Sequence, residues 1–232
     1  MDFLHGVRAE WPLLRIRLLR TRLGIWLVLV VVAALWHERA APAPDSLATV
    51  LRAGALSAVL CIGYLAGSGP DRRSLVLPLL HPATAGSVAL GRWCAATGGA
   101  ALVVLAIAAH DAWTTGAVPA SLGSAVAGLA TAAAVSACTL ALVWCGGNVL
   151  AGLLFVWLAL VGAAPPEALI GAPHPGLVRV VVAALLEVGP APWRYRAIAV
   201  GDPGSIVHAA TWVGLGLLLA RWRVGRLVAH AR

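Results

Sequence analysis

The sequence predicts an all-α integral membrane protein: six transmembrane helices, an N-terminal interfacial helix, and a re-entrant or extracytoplasmic helical hairpin between spans five and six. Three observations carry this. Only 11% of the 232 residues are charged, where a soluble domain carries about 25%. The mean hydropathy is +0.90, with 61% hydrophobic residues. The seventeen basic residues are all arginine and gather mainly between the apolar runs.

Residues 1–22 form the predicted interfacial helix. Arg8, Arg15, Arg17, Arg20 and Arg22 alternate with Trp11, Leu13, Leu14, Ile16, Leu18 and Leu19. Long cationic side chains bury their stems and keep their heads at the phosphates, so Arg15, Arg17, Arg20 and Arg22 are candidate interfacial anchors. Arg17 points nearly opposite to Arg8, Arg15 and Arg22, so a plain basic anchor fits as well. The segment is not read as a signal peptide, because the apolar run starts only near Leu23 and is expected to be retained as span one.

A helix needs about 20 apolar residues to cross the hydrocarbon core. Span one therefore begins at Leu18 or Leu23 and ends at Trp36, before a proline-broken loop at 37–45. Span two covers 46–67, with Arg52 one to two turns inside its end, where it either lines a polar path or snorkels outward. Residues 68–92 interrupt the apolar pattern with Asp71, Arg72, Arg73, Pro78, His81, Pro82 and Arg92. Pro82 is suited to a first helical turn, so a helix starting near Ala83 runs through Gly91 and Arg92 into span three at 93–109. His110 and Asp111 are expected to end it as a solvated pair.

Span four, 118–144, opens with Gly123, Ser124, Ala127, Gly128, Thr131 and Ala134. Small residues four apart let backbones approach closely, so this helix is expected at the centre of the bundle. A turn at 145–148 leads into a short span five at 149–163. Residues 165–203 form the predicted hairpin, in which 177–188 is apolar but too short to cross. Its end carries Pro192, Trp193, Arg194, Tyr195 and Arg196, and Trp193 and Tyr195 are candidate interfacial anchors. Span six, 205–220, is followed by Arg221, Arg223, Arg226 and Arg232. No repeat or linker divides residues 1–232, so a single transmembrane domain is expected.

Six spans place twelve arginines on one side and five on the other. The positive-inside bias then puts both termini and residues 68–92 in the cytoplasm. No lysine exists, so a Walker A nucleotide loop is excluded. The arginines are read as flanking the spans, and outside the spans and their flanks no basic patch interleaves with aromatics, so nucleic-acid binding is not expected. Cys61, Cys94, Cys138 and Cys145 lie in or beside apolar runs without a CxxC, and read as small apolar residues. No HExxH, paired carboxylate or Ser/His/Asp set stands out. His208, a turn inside span six, reads as a packed histidine. No catalytic residue, metal ligand or cofactor site is expected.

Six spans, a structured loop after span two and a long hairpin before span six together resemble the type-2 ABC exporter permeases. The local pattern is similar at Asp71-Arg72-Arg73, the run Leu75-Val76-Leu77-Pro78-Leu79-Leu80, Pro82, and the Gly91-Arg92 pair nine residues on. A second likeness is Pro192-Trp193-Arg194-Tyr195. The chain departs from the family where Arg73 replaces a Gly before the leucine run, and in lacking a Glu within that run and a basic residue soon after Pro82. The resemblance implies a non-enzymatic permease subunit of the bacterial cytoplasmic (inner) membrane. It would dimerise with a second copy or a paralogue, contact membrane lipid, and recruit separate ABC ATPase subunits. Coupling would fall to Asp71, Arg72, Arg73, Leu77, Leu80, Pro82 and Arg92. A haem-exporter-like permease of cytochrome c maturation has the same size and span number, and a non-transport membrane subunit is a further alternative.

Overall fold

A computed structural model describes residues 22–41, 45–66, 84–160, 176, 180 and 189–229. The calls on Asp71, Arg72, Arg73, Leu77, Leu80, Pro82, Arg15, Arg17 and Arg20 lie outside the described residues, as does most of the hairpin. The described residues contain helices and no strand: α1 (Leu23–Ala40), α2 (Ser46–Ala66), α3 (Ala85–Thr115), α4 (Val118–Gly146), α5 (Asn148–Leu160), α6 (Pro192–Tyr195), a 3-10 turn (Arg196–Val200) and α7 (Pro203–Ala229).

Five of these helices, α1, α2, α3, α4 and α7, are long and apolar enough to cross a membrane. This is the pattern of a multi-pass membrane protein. α5 has 13 residues, about 20 Å at the helical rise and short of a 30 Å core.

α4 is the central helix. It packs against α2, α3, α5, α7 and the 3-10 turn, and the small residues on its surface explain why. A Cβ on Gly128 would lie 2.7 Å from Val50 Cγ1 and 2.8 Å from Val104 Cγ1, and one on Gly54 would lie 3.1 Å from the Gly128 carbonyl oxygen. Helices α2 and α4 therefore meet almost backbone to backbone, with Val104 of α3 packed against both glycines, as the small-residue pattern predicts. Hydroxyls on α4 are satisfied within the helix: Thr131 and Thr139 donate to the carbonyls of Ala127 and Val135. Such back-bonding lets Thr sit in an apolar interior without an orphaned donor. Across the interface Trp93 Nε1 donates to the Ala133 carbonyl at 2.9 Å, and the Thr97 and Ser136 hydroxyls pair at 3.1 Å.

The outer helices show the opposite pattern. On α1 only Leu23 and Leu27 are buried, while Ile25, Trp26, Val28, Leu29, Val32 and Trp36 are exposed. α5 exposes Val149, Leu153, Val156 and Trp157, and α7 exposes Ile206, Val207, Leu218, Leu219 and Trp222. Broad apolar faces on the perimeter suit contact with lipid.

Several expectations change. α1 does not end at Trp36 but continues through His37, Glu38 and Arg39 to Ala40, because nothing in that stretch breaks a helix before Pro42. α3 is not ended by His110 and Asp111. It runs to Thr115 and stops at Gly116, whose φ of +70° supplies a left-handed C-cap. Asp111 is consequently buried rather than solvated, and accepts a 2.7 Å hydrogen bond from Ser121 Oγ. Tyr195 is not an interfacial side chain. It is fully buried in a cluster with Leu51, Ala127, Ala134, Ile198 and Ala209. Trp193 is half-buried.

Candidate functional site at the Arg92 end

The antiparallel order α1 to α4 gives the bundle two ends. One carries Arg22, Arg92, Arg221, Arg223 and Arg226 with no carboxylate among the described residues; the other carries four arginines and four carboxylates. Positive charge is thus concentrated at one end, the Arg92 end.

α3 starts there with a defined cap. The Thr84 side chain accepts from Ser87 N–H at 3.2 Å, and Ser87 Oγ donates to the Thr84 carbonyl at 2.8 Å. This is the pairing expected of a Thr N-cap, which satisfies an amide the helix itself leaves free. Two turns on, Arg92 enters the bundle with only 4% of its surface exposed. Its guanidinium carbon lies 5.5 Å from the centroid of the Trp144 ring, within cation–π range. Trp144, near the end of α4, is itself buried. Its carbonyl accepts from Arg223 Nε of α7 at 3.1 Å. Trp144 therefore ties α3 and α7 to α4 through two arginines.

Further along α7, the Arg226 guanidinium carbon sits 4.2 Å from the Trp222 centroid. Arg221 lies against Gly86, its Cδ 3.7 Å from where a Gly86 Cβ would stand. Between the first turns of α3 and the last turns of α7 lies a cavity of about 1010 Å³, apolar at Leu90, Leu217 and Leu218 and basic at Arg221 and Arg226. No group of three metal-ligating side chains occurs among the described residues. The contacts at this end are cation–π and arginine–carbonyl pairs between helices. Of the expected coupling residues, Arg92 is described and takes part in these contacts. Of the expected anchors, Arg22 is described, exposed at the start of α1.

The opposite end is stitched by polar contacts. Asp45 caps α2, accepting from the Ala48 N–H at 3.0 Å, and binds Arg196 Nη1 at 2.7 Å. Burial raises the Asp45 carboxyl, but the Arg196 hydrogen bond, the Ala48 amide and the Arg196 charge outweigh it and leave the group below its usual range. Asp202 caps α7, accepting from Ser205 Oγ and Ser205 N–H, and these bonds hold its carboxyl low as well. A Cβ on Gly123 would lie 2.8 Å from the Ala199 carbonyl oxygen, so the 3-10 turn rests directly on α4. Tyr195 stacks obliquely on His208 at 5.6 Å, and Trp212 Nε1 donates to His208 Nε2 at 3.2 Å, as the packed-histidine reading expects. Burial pushes the Tyr195 hydroxyl up.

Trp144 and Arg223 were not among the expected site residues. Their only sequence signal was position: an aromatic and a basic residue at the predicted ends of two spans, on the same side. Comparison with protein-family models, curated proteins and solved structures found no match.

Proposed function

We propose that this chain is the membrane-spanning permease subunit of an ATP-driven exporter of the type-2 ABC class. It forms the translocation path as a dimer and is coupled to separate ATPase subunits. In this reading the protein has six spans, with the short α5 and the residues after it making the fifth, and both termini face the cytoplasm of a bacterial inner membrane. The Arg92 end is cytoplasmic, in keeping with its excess of arginine.

The observation that best supports the reading is the continuity of α3. It starts at Ala85, downstream in sequence of the acidic-basic stretch at 71–73, carries Arg92, and continues unbroken for 31 residues, about 46 Å at the helical rise. A push at residues 68–84 would be delivered along one rigid helix, and the Arg92–Trp144–Arg223 joint would pass it to α4 and α7. The lack of lysine fits an ATPase supplied by another chain.

The test is co-purification of the full chain with an ABC ATPase from the membranes that express it, before and after replacing Asp71, Arg72 and Arg73 with alanine. The complex should form with the wild type and be lost in the triple variant. A complex indifferent to these changes would sink the coupling role. Deletion of the gene should leave c-type cytochromes intact, and loss of haem attachment would select the cytochrome c maturation permease instead.

A further inference from the structure

At the Asp45 end a second cavity, of about 330 Å³, opens between α1, α2 and α5. Its walls are apolar along most of their length, formed by Trp26, Val30, Leu56, Leu60 and Phe155. One end is polar: Arg52, Thr49 and His37. Arg52 is the seventh residue of α2, so its Cα lies about 9 Å inside the helix start.

Among the described residues Arg52 has no ion pair. The Asp45 carboxylate at the start of α2 is held by Arg196 and by the α2 amide it caps. Arg52 Nε is sealed from solvent without a hydrogen-bond partner, while its two terminal nitrogens are not sealed and make no hydrogen bond among the described residues, so they are the donors open to the cavity. A guanidinium has five donors and never loses its charge. Leaving one donor buried and unmade costs more than a lost neutral bond. An ionisable residue at this depth marks a ligand or ion contact by default. The cavity supplies the geometry for one. From Arg52 to Leu60 the apolar wall runs about 12 Å down the helix, toward the centre of the bilayer. The lining side chains Trp26 and Leu29 also lie on the exposed face of α1, so the cavity is bordered by surface that faces lipid.

We propose that this cavity binds one anionic phospholipid from the leaflet at the Asp45 end. Its phosphate sits on Arg52, with His37 at the mouth, and an acyl chain lies along Leu56, Leu60 and Phe155. Charge complementarity selects the occupant: one fixed cation and an apolar slot match one anion carrying a chain. A free anion would leave the slot empty, and a zwitterionic lipid would bring its own cation to the arginine. This assignment rests on the membrane-spanning helices and is independent of any ATPase partner.

The experiment is native mass spectrometry of the full chain, released from detergent after incubation with equal amounts of phosphatidylglycerol and phosphatidylcholine of matched chains. The wild type should retain phosphatidylglycerol about tenfold over phosphatidylcholine, as expected for a charge-assisted contact in a dry site. Arg52→Gln should abolish the preference and Arg52→Lys should keep part of it. Ala33→Phe fills the slot from an exposed position on α1, and should remove the bound phosphatidylglycerol with Arg52 intact. Inorganic phosphate should not compete. Equal retention of the two lipids by the wild type, an undiminished preference in Arg52→Gln, or displacement by inorganic phosphate alone would overturn the proposal. If Arg52→Gln does not fold, Ala33→Phe decides: retained phosphatidylglycerol refutes the site and its loss supports it.

Discussion

Gly216 on α7 offers the sharpest test of how the bundle is held together. A Cβ placed there would stand 2.5 Å from the carbonyl carbon of Ala137, 2.6 Å from its oxygen and 2.9 Å from its Cβ. Two are backbone atoms of the central helix and the third is a Cβ fixed to it, so no side-chain rotation relieves the clash. Restoring an ordinary contact of 3.4 Å requires α7 to withdraw by about 0.9 Å. A gap of that size forfeits a quarter to a half of the dispersion energy of each contact it opens. Overpacking of this kind costs about 1–3 kcal/mol. Gly→Ala in a helix otherwise gains about 0.5–1 kcal/mol from backbone entropy, and the neighbouring Gly214 provides the control, since a Cβ there meets nothing within 4 Å. The entropy gain is common to both variants, so Gly216→Ala should be less stable than Gly214→Ala by about 1–3 kcal/mol. The measurement is reversible unfolding of both variants in the same detergent micelles. Equal stabilities would refute the close approach of α7 and α4.

Two further outcomes concern the ends of the bundle. Arg92→Met keeps the length of the buried stem but removes the charge over Trp144, and should lower stability by about 1–2 kcal/mol; an unchanged thermal melt would show that the stacking is incidental. Asp45→Asn keeps the helix cap but removes the ion pair with Arg196. Because the folded-state pKa of Asp45 is lowered, its contribution is present above the unfolded value of about 3.9 and lost as pH falls through the folded value. Both partners are about a third to a half exposed, so the gap between wild type and Asp45→Asn at pH 7 should be under about 1 kcal/mol. That gap should close in melts below the normal carboxylate range; the same gap at pH 3 as at pH 7 would contradict the ion pair.

Much of the fold was legible in residue order. The central position of α4 followed from Gly123, Ala127, Gly128 and Ala134, because small side chains at helical spacing let neighbouring backbones come close. The packed state of His208 followed from its lone position in an apolar run. Arg92 was singled out by the resemblance of the Gly91-Arg92 pair to the start of span three in the exporter permeases. Helix ends were harder to read. His37, Glu38, His110 and Asp111 look like loop residues, yet polar side chains do not by themselves stop a helix. The stop comes at Gly116, where a left-handed backbone is cheap.

Composition and order by themselves determined that this chain has helices long and apolar enough to cross a membrane and a basic end, and that it lacks the lysine of a Walker A loop. These are properties of local hydropathy, charge and the absence of lysine, and they need no knowledge of neighbours. Which arginines meet which tryptophans, that Asp111 finds Ser121, that Tyr195 turns inward onto His208, and that Arg52 opens on an apolar cavity were decided by the tertiary structure alone. The physical reason is that each depends on the rotation and depth of two or more helices brought together by close packing. Within a single helix an arginine at a span end and one facing a cavity look the same.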